Sequence, residues 1–342
     1  MQQSDVAARD RARSHTGNRA SRRRHSRLTR VALAATASAL ASASFAGPAL
    51  ANAQVPKVTS YDYSTVVNQQ DPTFNQLLGI NNFGQIAGYF GSGAQGHPNQ
   101  GYLTSMPGAA NNRFLGEDAP GSVQTQVTGL NDLGVTVGFW SDQNNASQIN
   151  PNYGFYSIDG RILTVDFPTM DNANPPVNQL LGVNDTGTAV GFYNDSAGNA
   201  HGYAYNIRSG RFKAITVKGA TSVTATGVSN AGTTTGFFIS AGGAVDAFLQ
   251  MHGGRTLTIA VPGASMTQAF GVNDKDEVVG AYTVGTGNNA VTHGFTWQGG
   301  KVTTVNYAKS SGTTVNGVND EGDIVGFYTD AKGNTDGFVG LP

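Results

Sequence analysis

A phrase of about fourteen residues recurs along this chain and constrains its fold more than any other feature. It reads "GVNDEGDIVGFYTD" at 317–330, "GVNDTGTAVGFYND" at 182–195 and "GLNDLGVTVGFWSD" at 129–142. Aligned on the first glycine, six copies begin at Gly79, Gly129, Gly182, Gly227, Gly271 and Gly317. Repeats of this length that are rich in short β patterns are typical of β-propeller blades.

Each copy predicts four short strands, which we call a to d. In the third repeat, strand a covers 180–184, strand b 188–193, strand c 201–206 and strand d 211–217. Runs of β-branched and aromatic residues favour strands at these positions. Asn184, Asp185 and Gly187 predict a tight a–b hairpin, because these residue types tolerate left-handed backbone conformations.

The two ends of the repeat region indicate how the repeats are arranged. The last repeat supplies strands a to c, whereas "KVTSYDYS" at 57–64 reads as a strand d with no repeat before it. If the N-terminal strand completes the C-terminal blade, exposed strand edges are removed. We therefore predict an all-β fold, a six-bladed β-propeller of four-stranded blades closed by residues 57–64. Open solenoids and a two-sheet sandwich are the alternatives.

Residues 54–342 are predicted to be a single domain, with repeats starting near positions 77, 127, 180, 225, 269 and 315. Residues 1–53 are predicted to be an export signal. Nine arginines lie there, followed by "VALAATASALASASFA" at 31–46 and a small-x-small site ending at Ala53. This order is typical of a signal peptide cleaved near Ala53. We expect a secreted or periplasmic monomer with no membrane span after cleavage, and Sec and twin-arginine export both stay open.

Charge and composition exclude several classes of function. Without residues 1–53 the chain holds 12 basic and 20 acidic residues, so a nucleic-acid partner is not expected. The absence of cysteine excludes disulfides, thiol nucleophiles and thiolate metal sites. No cofactor is predicted. The oxygen-rich segments at Asp142 and Asp171 lack the spacing of an EF-hand loop, which leaves calcium as a minor alternative.

The repeats resemble those of the HAF family of extracellular repeat proteins over about 77–341. The resemblance rests on the "GVND.G..VGFY.D..G..HGF" strings. The family's His-Ala-Phe element is approximate here, as His201-Gly202-Tyr203, His293-Gly294-Phe295, Asp246-Ala247-Phe248 and Asp336-Gly337-Phe338. The resemblance implies export and a repeat architecture, and it implies no particular reaction.

Repeats one and two carry most of the additional connecting length, and insertions in repeat proteins commonly mark the binding face. Lys57 to Gly79 covers 22 residues, against 16 for the same connection in four of the six repeats. Gly138 to Gly154 covers 16 residues, against a common value of 11. In an up-and-down blade the b–c and d–a connections emerge at the same end. These long connections should therefore share one face.

This sector supplies seven candidate ligand-binding residues: Asp71, Phe74, His97, Trp140, Asp142, Tyr153 and Asp171. Aromatic rings with carboxylates at their edges suit a sugar or another polar polymer. For Trp140, which continues the Phe/Tyr position of strand b, core packing is an equally supported alternative. Three glutamines of strand a, Gln76, Gln126 and Gln179, are also candidates. They would ring one mouth of a central channel, although satisfying strand ends is the alternative.

Other polar positions recur once per repeat beside the a–b turns. Each strand d opens with Lys or Arg, and the a–b turns carry Asn82, Asp132, Asp185, Asn230, Asp274 and Asp320. An anion-binding ring is one interpretation of the basic residues. Local ion pairs between neighbouring turns are the expectation that we favour, and each exposed pair would contribute only about 0–1 kcal/mol.

Two functions from different classes follow. The first is a non-catalytic module that binds or scaffolds a polar polymer, a glycan or a surface protein, with no catalytic residue. The second is an extracellular glycan hydrolase or lyase that uses Asp71, Asp142, Asp171 and His97 as acid/base groups. Glycoside hydrolysis would require two of the carboxylates about 5–10 Å apart.

Overall fold

The computed structural model describes residues 61–94, 96–109, 113–145, 150–168 and 173–342. Strands dominate these residues, which contain no α-helix and one 3-10 turn at Gly287–Asn289. The prediction of an all-β chain is confirmed. Within the same ranges, no helix is long and apolar enough to cross a membrane.

Consecutive strands pair antiparallel in groups of four. Repeat one comprises β2 (Asn75–Ile80), β3 (Gln85–Phe90), β4 (Gln100–Ser105) and β5 (Leu115–Gly116). Repeat two comprises β6 (Gln124–Leu130), β7 (Thr136–Ser141), β8 (Tyr153–Ile158) and β9 (Arg161–Val165). Repeat three comprises β10 (Asn178–Val183), β11 (Thr188–Asn194), β12 (Ala200–Asn206) and β13 (Arg211–Ala214).

The next two repeats form one eight-stranded sheet, joined by a single parallel pairing of Val245 with Met266. Repeat four comprises β14 (Ala220–Val228), β15 (Thr234–Ser240), β16 (Val245–Gln250) and β17 (Thr256–Ile259). Repeat five comprises β18 (Met266–Val272), β19 (Val278–Val284), β20 (Val291–Gln298) and β21 (Lys301–Val305).

Repeat six is completed by a strand from the other end of the chain. It comprises β22 (Gly312–Val318), β23 (Ile324–Thr329) and β24 (Thr335–Leu341), and β1 (Asp62–Val66) pairs antiparallel with β24. The bounds differ from the predicted strand at 57–64, of which 57–60 lies outside the described residues. Strand d of repeat three is also shorter than predicted and ends at Ala214.

Most of the apolar core lies between repeats. Six clusters each join one repeat to the next. One of them packs Val137 and Val165 of repeat two against Leu180 and Tyr203 of repeat three. Another packs Val66 and other residues of the sixth sheet against Leu77 of repeat one. A seventh, smaller cluster of Val177, Phe192 and Ala200 lies within repeat three. Because the other six clusters span two repeats, each sheet depends on its neighbours for burial of most of its apolar surface.

The first glycine of the phrase lies where neighbouring backbones meet. A Cβ atom built on Gly79 would lie 3.0 Å from Cα of Gly129, and one on Gly317 would lie 3.2 Å from Cα of Gly79. The same contact links every intervening pair of repeats. A residue without a side chain is required for this close approach. The six glycines therefore form a closed ring of contacts.

Candidate functional site

The antiparallel order places the connections at two ends of the sheets. We call the end with the b–c and d–a connections the loop face, and the end with the a–b and c–d connections the turn face. The seven candidate residues of repeats one and two belong to the loop face or to strand ends beside it. The glycine ring and the a–b hairpins lie toward the turn face.

The side chains of His97 and Asp71 are hydrogen-bonded on the loop face. Nδ1 of His97 lies 3.1 Å from Oδ2 of Asp71, and the carboxyl side chain is only 6% exposed. The other oxygen, Oδ1, accepts hydrogen bonds from the backbone N–H of Thr73 at 3.0 Å and from its hydroxyl at 2.6 Å. This contact links the connection before β2 to the connection between β3 and β4. Two of the predicted ligand-binding residues are therefore in direct contact.

The environment of Asp71 favours its charged form. Burial alone would raise the pKa of this carboxyl, but the hydrogen bonds from Thr73 and the contact with His97 more than offset burial and lower it. Asp71 is thus held as a carboxylate and is poorly suited to donate a proton as a general acid.

The lowered pKa predicts how Asp71 contributes to stability. Because the folded-state pKa is lower than the unfolded one, the contribution is present above the unfolded pKa of about 3.9 and is lost as pH falls through the folded pKa. The difference in unfolding free energy between wild type and Asp71→Asn should therefore be constant near neutral pH and shrink on acidification. Urea unfolding from pH 7 to pH 2 measures it.

A change at the hydroxyl of Thr73 provides a second, independent test of the lowered pKa of Asp71. Thr73→Val removes one hydrogen bond to Asp71 and should raise the carboxyl pKa, which carbon-detected NMR titration of Asp71 reports. An unchanged pKa in Thr73→Val, together with a pH-independent difference for Asp71→Asn, would contradict the assignment.

A second His–Asp pair lies on the same face but within a single hairpin. Nε2 of His201 is 3.0 Å from Oδ2 of Asp195, in the b–c connection of repeat three. Burial tends to raise the pKa of Asp195, yet hydrogen bonds from His201, Asn199 and nearby backbone lower it to about 2. This pair closes its own turn, whereas His97 and Asp71 connect two separate segments.

The b–c connections of repeats one and two contact each other. Nδ2 of Asn144 donates to the carbonyl of Ala94 at 3.4 Å, and Ala94 in turn bridges to His97 across its own short hairpin. Asp142 lies beside this contact and is exposed. Asp171, the remaining acidic candidate, lies outside the described residues. The structure therefore brings two of the long loops together.

Trp140 and Tyr153 form a cross-strand aromatic pair at the loop-face end of β7 and β8. Their ring centroids are 4.8 Å apart, and Nε1 of Trp140 donates to Oγ1 of Thr164 at 3.2 Å. Trp140 is half-buried and packs at the edge of the cluster between repeats one and two. Part of the ring thus packs in the core, as the alternative from the sequence expected, and part faces solvent, whereas ligand binding by Trp140 stays a prediction.

The remaining loop-face candidate, Phe74, packs on its own sheet. Its ring centroid is 5.9 Å from that of Tyr89, and its backbone forms a parallel bridge to Thr335 at the start of β24. Phe74 is half-buried. It therefore connects the candidate sector with repeat six.

The three glutamines of strand a are buried. Gln76, Gln126 and Gln179 are at most 2% exposed. Oε1 of Gln76 accepts from Tyr89, Nε2 of Gln126 donates to Asn99 at 2.9 Å, and Nε2 of Gln179 donates to Asn152 at 2.7 Å. These contacts match the alternative in which amides satisfy strand ends. Asn99 and Asn152 were not predicted from the sequence. Each lies directly before the strand c of its repeat.

On the turn face, the six a–b hairpins form a closed cycle of hydrogen bonds. The backbone N–H of Asn82 donates to Oδ1 of Asp132 at 2.8 Å, and Asp132 donates to Asp185 in the same way. The cycle continues through Asn230, Asp274 and Asp320 and returns from Asp320 to Oδ1 of Asn82 at 2.8 Å. We call these six residues the Asx ring.

The Asx ring contains four carboxylates and two amides in the order Asn-Asp-Asp-Asn-Asp-Asp. Nδ2 of Asn82 donates to both neighbouring carboxylates, Asp132 and Asp320, at 2.9 Å each. Nδ2 of Asn230 donates in the same way to Asp185 and Asp274. The ring and the residues around it line a pocket of about 90 Å³. Two junctions between adjacent carboxylates, Asp132–Asp185 and Asp274–Asp320, lack an amide between them.

The expected ion pairs between neighbouring turns are replaced by this ring. Among the described residues, no Lys or Arg forms an ion pair with its carboxylates. The expectation was wrong because backbone N–H groups of the adjacent turn reach the carboxylates first. A short oxygen-bearing residue at the same turn position in all six repeats was the sequence signal for it.

No group of three or more His, Cys, Asp or Glu residues within the described ranges is arranged to hold a metal ion.

No protein-family model matches the chain, and no curated protein sequence matches it. Solved structures with a similar fold include TolB from Acinetobacter baumannii, at 11% identity and a TM-score of 0.45. That match covers 75% of this chain and 63% of TolB, so this chain spans less than two thirds of TolB.

Two further structures are similar to a comparable degree. A triple mutant of AofleA from Arthrobotrys oligospora is 11% identical with a TM-score of 0.49, covering 82% of this chain and 87% of that one. A gluconolactonase from Xanthomonas campestris is 14% identical with a TM-score of 0.41, covering 87% and 98%. With identities and TM-scores this low, these proteins carry no argument about function.

Proposed function

We propose that the chain is an exported six-bladed β-propeller of the HAF type that binds a polar extracellular polymer, such as a glycan, without catalysis. The cyclic Asx ring, the six clusters between repeats and the pairing of β1 with β24 support the six-bladed ring. Residues 1–53 would direct export to the periplasm or the cell exterior, where the protein acts as a monomer.

One observation carries the binding proposal, namely the contact between loops of two different repeats. The hydrogen bond from Asn144 to Ala94 joins the two loops, and the His97–Asp71 pair anchors one of them to the connection before β2. The half-buried ring of Trp140 lies at the start of the second loop. A polymer chain would cross both loops, stacking on the indole and forming hydrogen bonds with imidazole and carboxylate groups.

Binding to a panel of neutral and anionic soluble polysaccharides, measured by isothermal titration calorimetry, tests this proposal. At least one polymer should bind, and His97→Ala should weaken its binding about tenfold because an exposed contact residue is lost. Trp140→Phe introduces the residue found at the equivalent position of repeat one, Phe90, and keeps an aromatic ring. It should therefore weaken binding less than Trp140→Ala.

His252→Ala is the matched control, since His252 is an exposed histidine next to the a–b hairpin of repeat four on the turn face. Equal losses in His97→Ala and His252→Ala, or no binding across the panel, would refute the proposal. Release of polymer fragments that Asp71→Asn abolishes would instead support the hydrolase or lyase alternative.

A further inference from the structure

The tips of the a–b hairpins differ sharply around the turn face. The residue after the Asx-ring position is, in repeat order, Phe83, Leu133, Thr186, Ala231, Lys275 and Glu321. Phe83 is 75% exposed and Leu133 is 71% exposed. Their hairpins are adjacent, because Asn82 and Asp132 are hydrogen-bonded. Two large apolar side chains thus project into solvent from adjacent hairpins.

Further apolar exposure lies in the same part of this face. Ile158, at the end of β8, and Leu341, at the end of β24, are 39% and 42% exposed. Among the described residues, every exposed large apolar side chain on the turn face belongs to repeats one, two or six. Exposed apolar residues that occur singly are ordinary, but a group beside a pocket marks an interaction surface.

The charge of the adjoining pocket indicates the charge of a molecule that would bind to this surface. The Asx ring places four carboxylates around the pocket, and the junction of Asp132 with Asp185 has no side-chain donor between its carboxylates. That junction lies beside the tip of Leu133. Each oxygen of these two carboxylates accepts one hydrogen bond within the ring. A guanidinium or ammonium group would add further donors and neutralise two like charges in adjacent positions. A second copy of this acidic chain would bring more negative charge to the same place.

We propose that the turn face of repeats one to three docks a partner protein segment containing arginine or lysine flanked by apolar residues. The cationic side chain enters the pocket over Asp132 and Asp185, and the apolar side chains pack on Phe83, Leu133 and Ile158. This inference is independent of polymer binding, which uses the opposite face. The molecule would then bridge a polymer and a protein.

Selection of twelve-residue peptides from a random displayed library tests the inference with a defined probe. Enriched peptides should contain arginine or lysine next to leucine, isoleucine, valine or phenylalanine. One enriched peptide is then labelled and its affinity measured by fluorescence anisotropy, beside a version with citrulline in place of arginine. The neutral version should bind at least about tenfold more weakly, since a charged hydrogen bond is lost.

The repeats themselves provide conservative variants for the protein side. Asp132→Asn with Asp185→Asn keeps the Oδ1 acceptors but replaces the two Oδ2 atoms that accept from Nδ2 of Asn82 and Asn230, so circular dichroism must first show that this variant is folded. Leu133→Thr copies Thr186, and Phe83→Ala copies Ala231. Each pair of changes should weaken peptide binding about tenfold, and Leu133→Thr with Phe83→Ala should do so with little effect on the unfolding midpoint because both side chains are exposed. Asp142→Asn, on the loop face, is the control and should leave the affinity unchanged.

Several outcomes would overturn the inference. They are enrichment of no peptides or only of acidic ones, equal binding of the citrulline peptide, and equal binding to Asp132→Asn/Asp185→Asn. A concentration-dependent dimer that Leu133→Thr abolishes would show instead that a second copy occupies this face. His97→Ala should weaken polysaccharide binding and leave peptide binding unchanged. Failure of one proposal can therefore be distinguished from failure of the other.

Discussion

Gly191→Ala is expected to destabilise the protein by at least about 3 kcal/mol, because the new methyl group would collide with backbone. A Cβ atom on Gly191 would lie 1.9 Å from the carbonyl oxygen of Gln179. The partner strand β10 has a β-bulge between Leu180 and Gly182, next to this contact. Backbone cannot yield as a flexible side chain can, so the two strands would have to separate.

The same collision recurs in every repeat. Built Cβ atoms on Gly88, Gly138, Gly236, Gly280 and Gly326 would lie between 2.0 and 2.3 Å from the carbonyl of the opposing strand a. This explains the second glycine of the repeated phrase. A glycine there allows the bulged strand to approach, whereas any other residue would prevent the pairing.

Urea unfolding followed by circular dichroism measures the effect. Gly253→Ala is the matched control, because a Cβ atom there would meet nothing within 4 Å and the residue has no positive φ. That control should change the unfolding free energy by no more than about 0.5 kcal/mol. If Gly191→Ala unfolds at the same urea concentration as Gly253→Ala, the close approach of β10 and β11 is wrong.

Asn75→Leu is expected to cost about 2–5 kcal/mol, because it removes one hydrogen bond from each of two buried polar groups and leaves the Tyr102 hydroxyl only a long contact of 3.5 Å to the carbonyl of Gln76. Oδ1 of Asn75 accepts a hydrogen bond from the hydroxyl of Tyr102 at 2.5 Å, and its Nδ2 donates to the carbonyl of Val66 at 2.8 Å. Asn75 and Tyr102 are each 1% exposed. The amide therefore connects β2, β4 and the N-terminal strand β1 within one buried network.

Burial raises the pKa of Tyr102, so the ring keeps its proton and donates. The double variant Asn75→Leu/Tyr102→Phe also removes the Tyr102 hydroxyl, which has lost its hydrogen bond to Asn75. It should therefore recover part of the lost stability. Tyr203 and Asn178 repeat the arrangement in repeat three. A double variant less stable than the sum of the single changes would contradict this account.

The inner strands and hairpins of this fold could be predicted from the sequence, and the outer strands could not. Strand a of repeat three was expected at 180–184 and covers Asn178–Val183. Strand d was expected at 211–217 but ends at Ala214, and its counterpart in repeat one covers only Leu115–Gly116. Strand d pairs with a neighbouring strand on one side only and is largely exposed. Burial therefore places little constraint on its pattern of apolar residues, and its length varies between repeats.

The candidate site shows a similar division. His97 and Asp71 could be proposed from loop length, but their contact depends on how two connections fold over each other. Asn144 and Ala94, which join the loops, had no distinguishing pattern in the sequence. The Asx ring depends on hydrogen bonds between residues 44 to 53 positions apart along the chain, with one of 238. Local patterns do not encode such distances.

The pairing of β1 with β24 has a consequence for how this molecule is made. The first described strand cannot find its partner until the last strand has left the ribosome, so repeat one and the incomplete sheet of repeat six each lack a neighbour until then. Non-local pairing of this kind slows folding and exposes apolar faces in the interval. Pairing of β1 with β24 is therefore a late step, and a chain truncated within β24 would leave β1 without its partner.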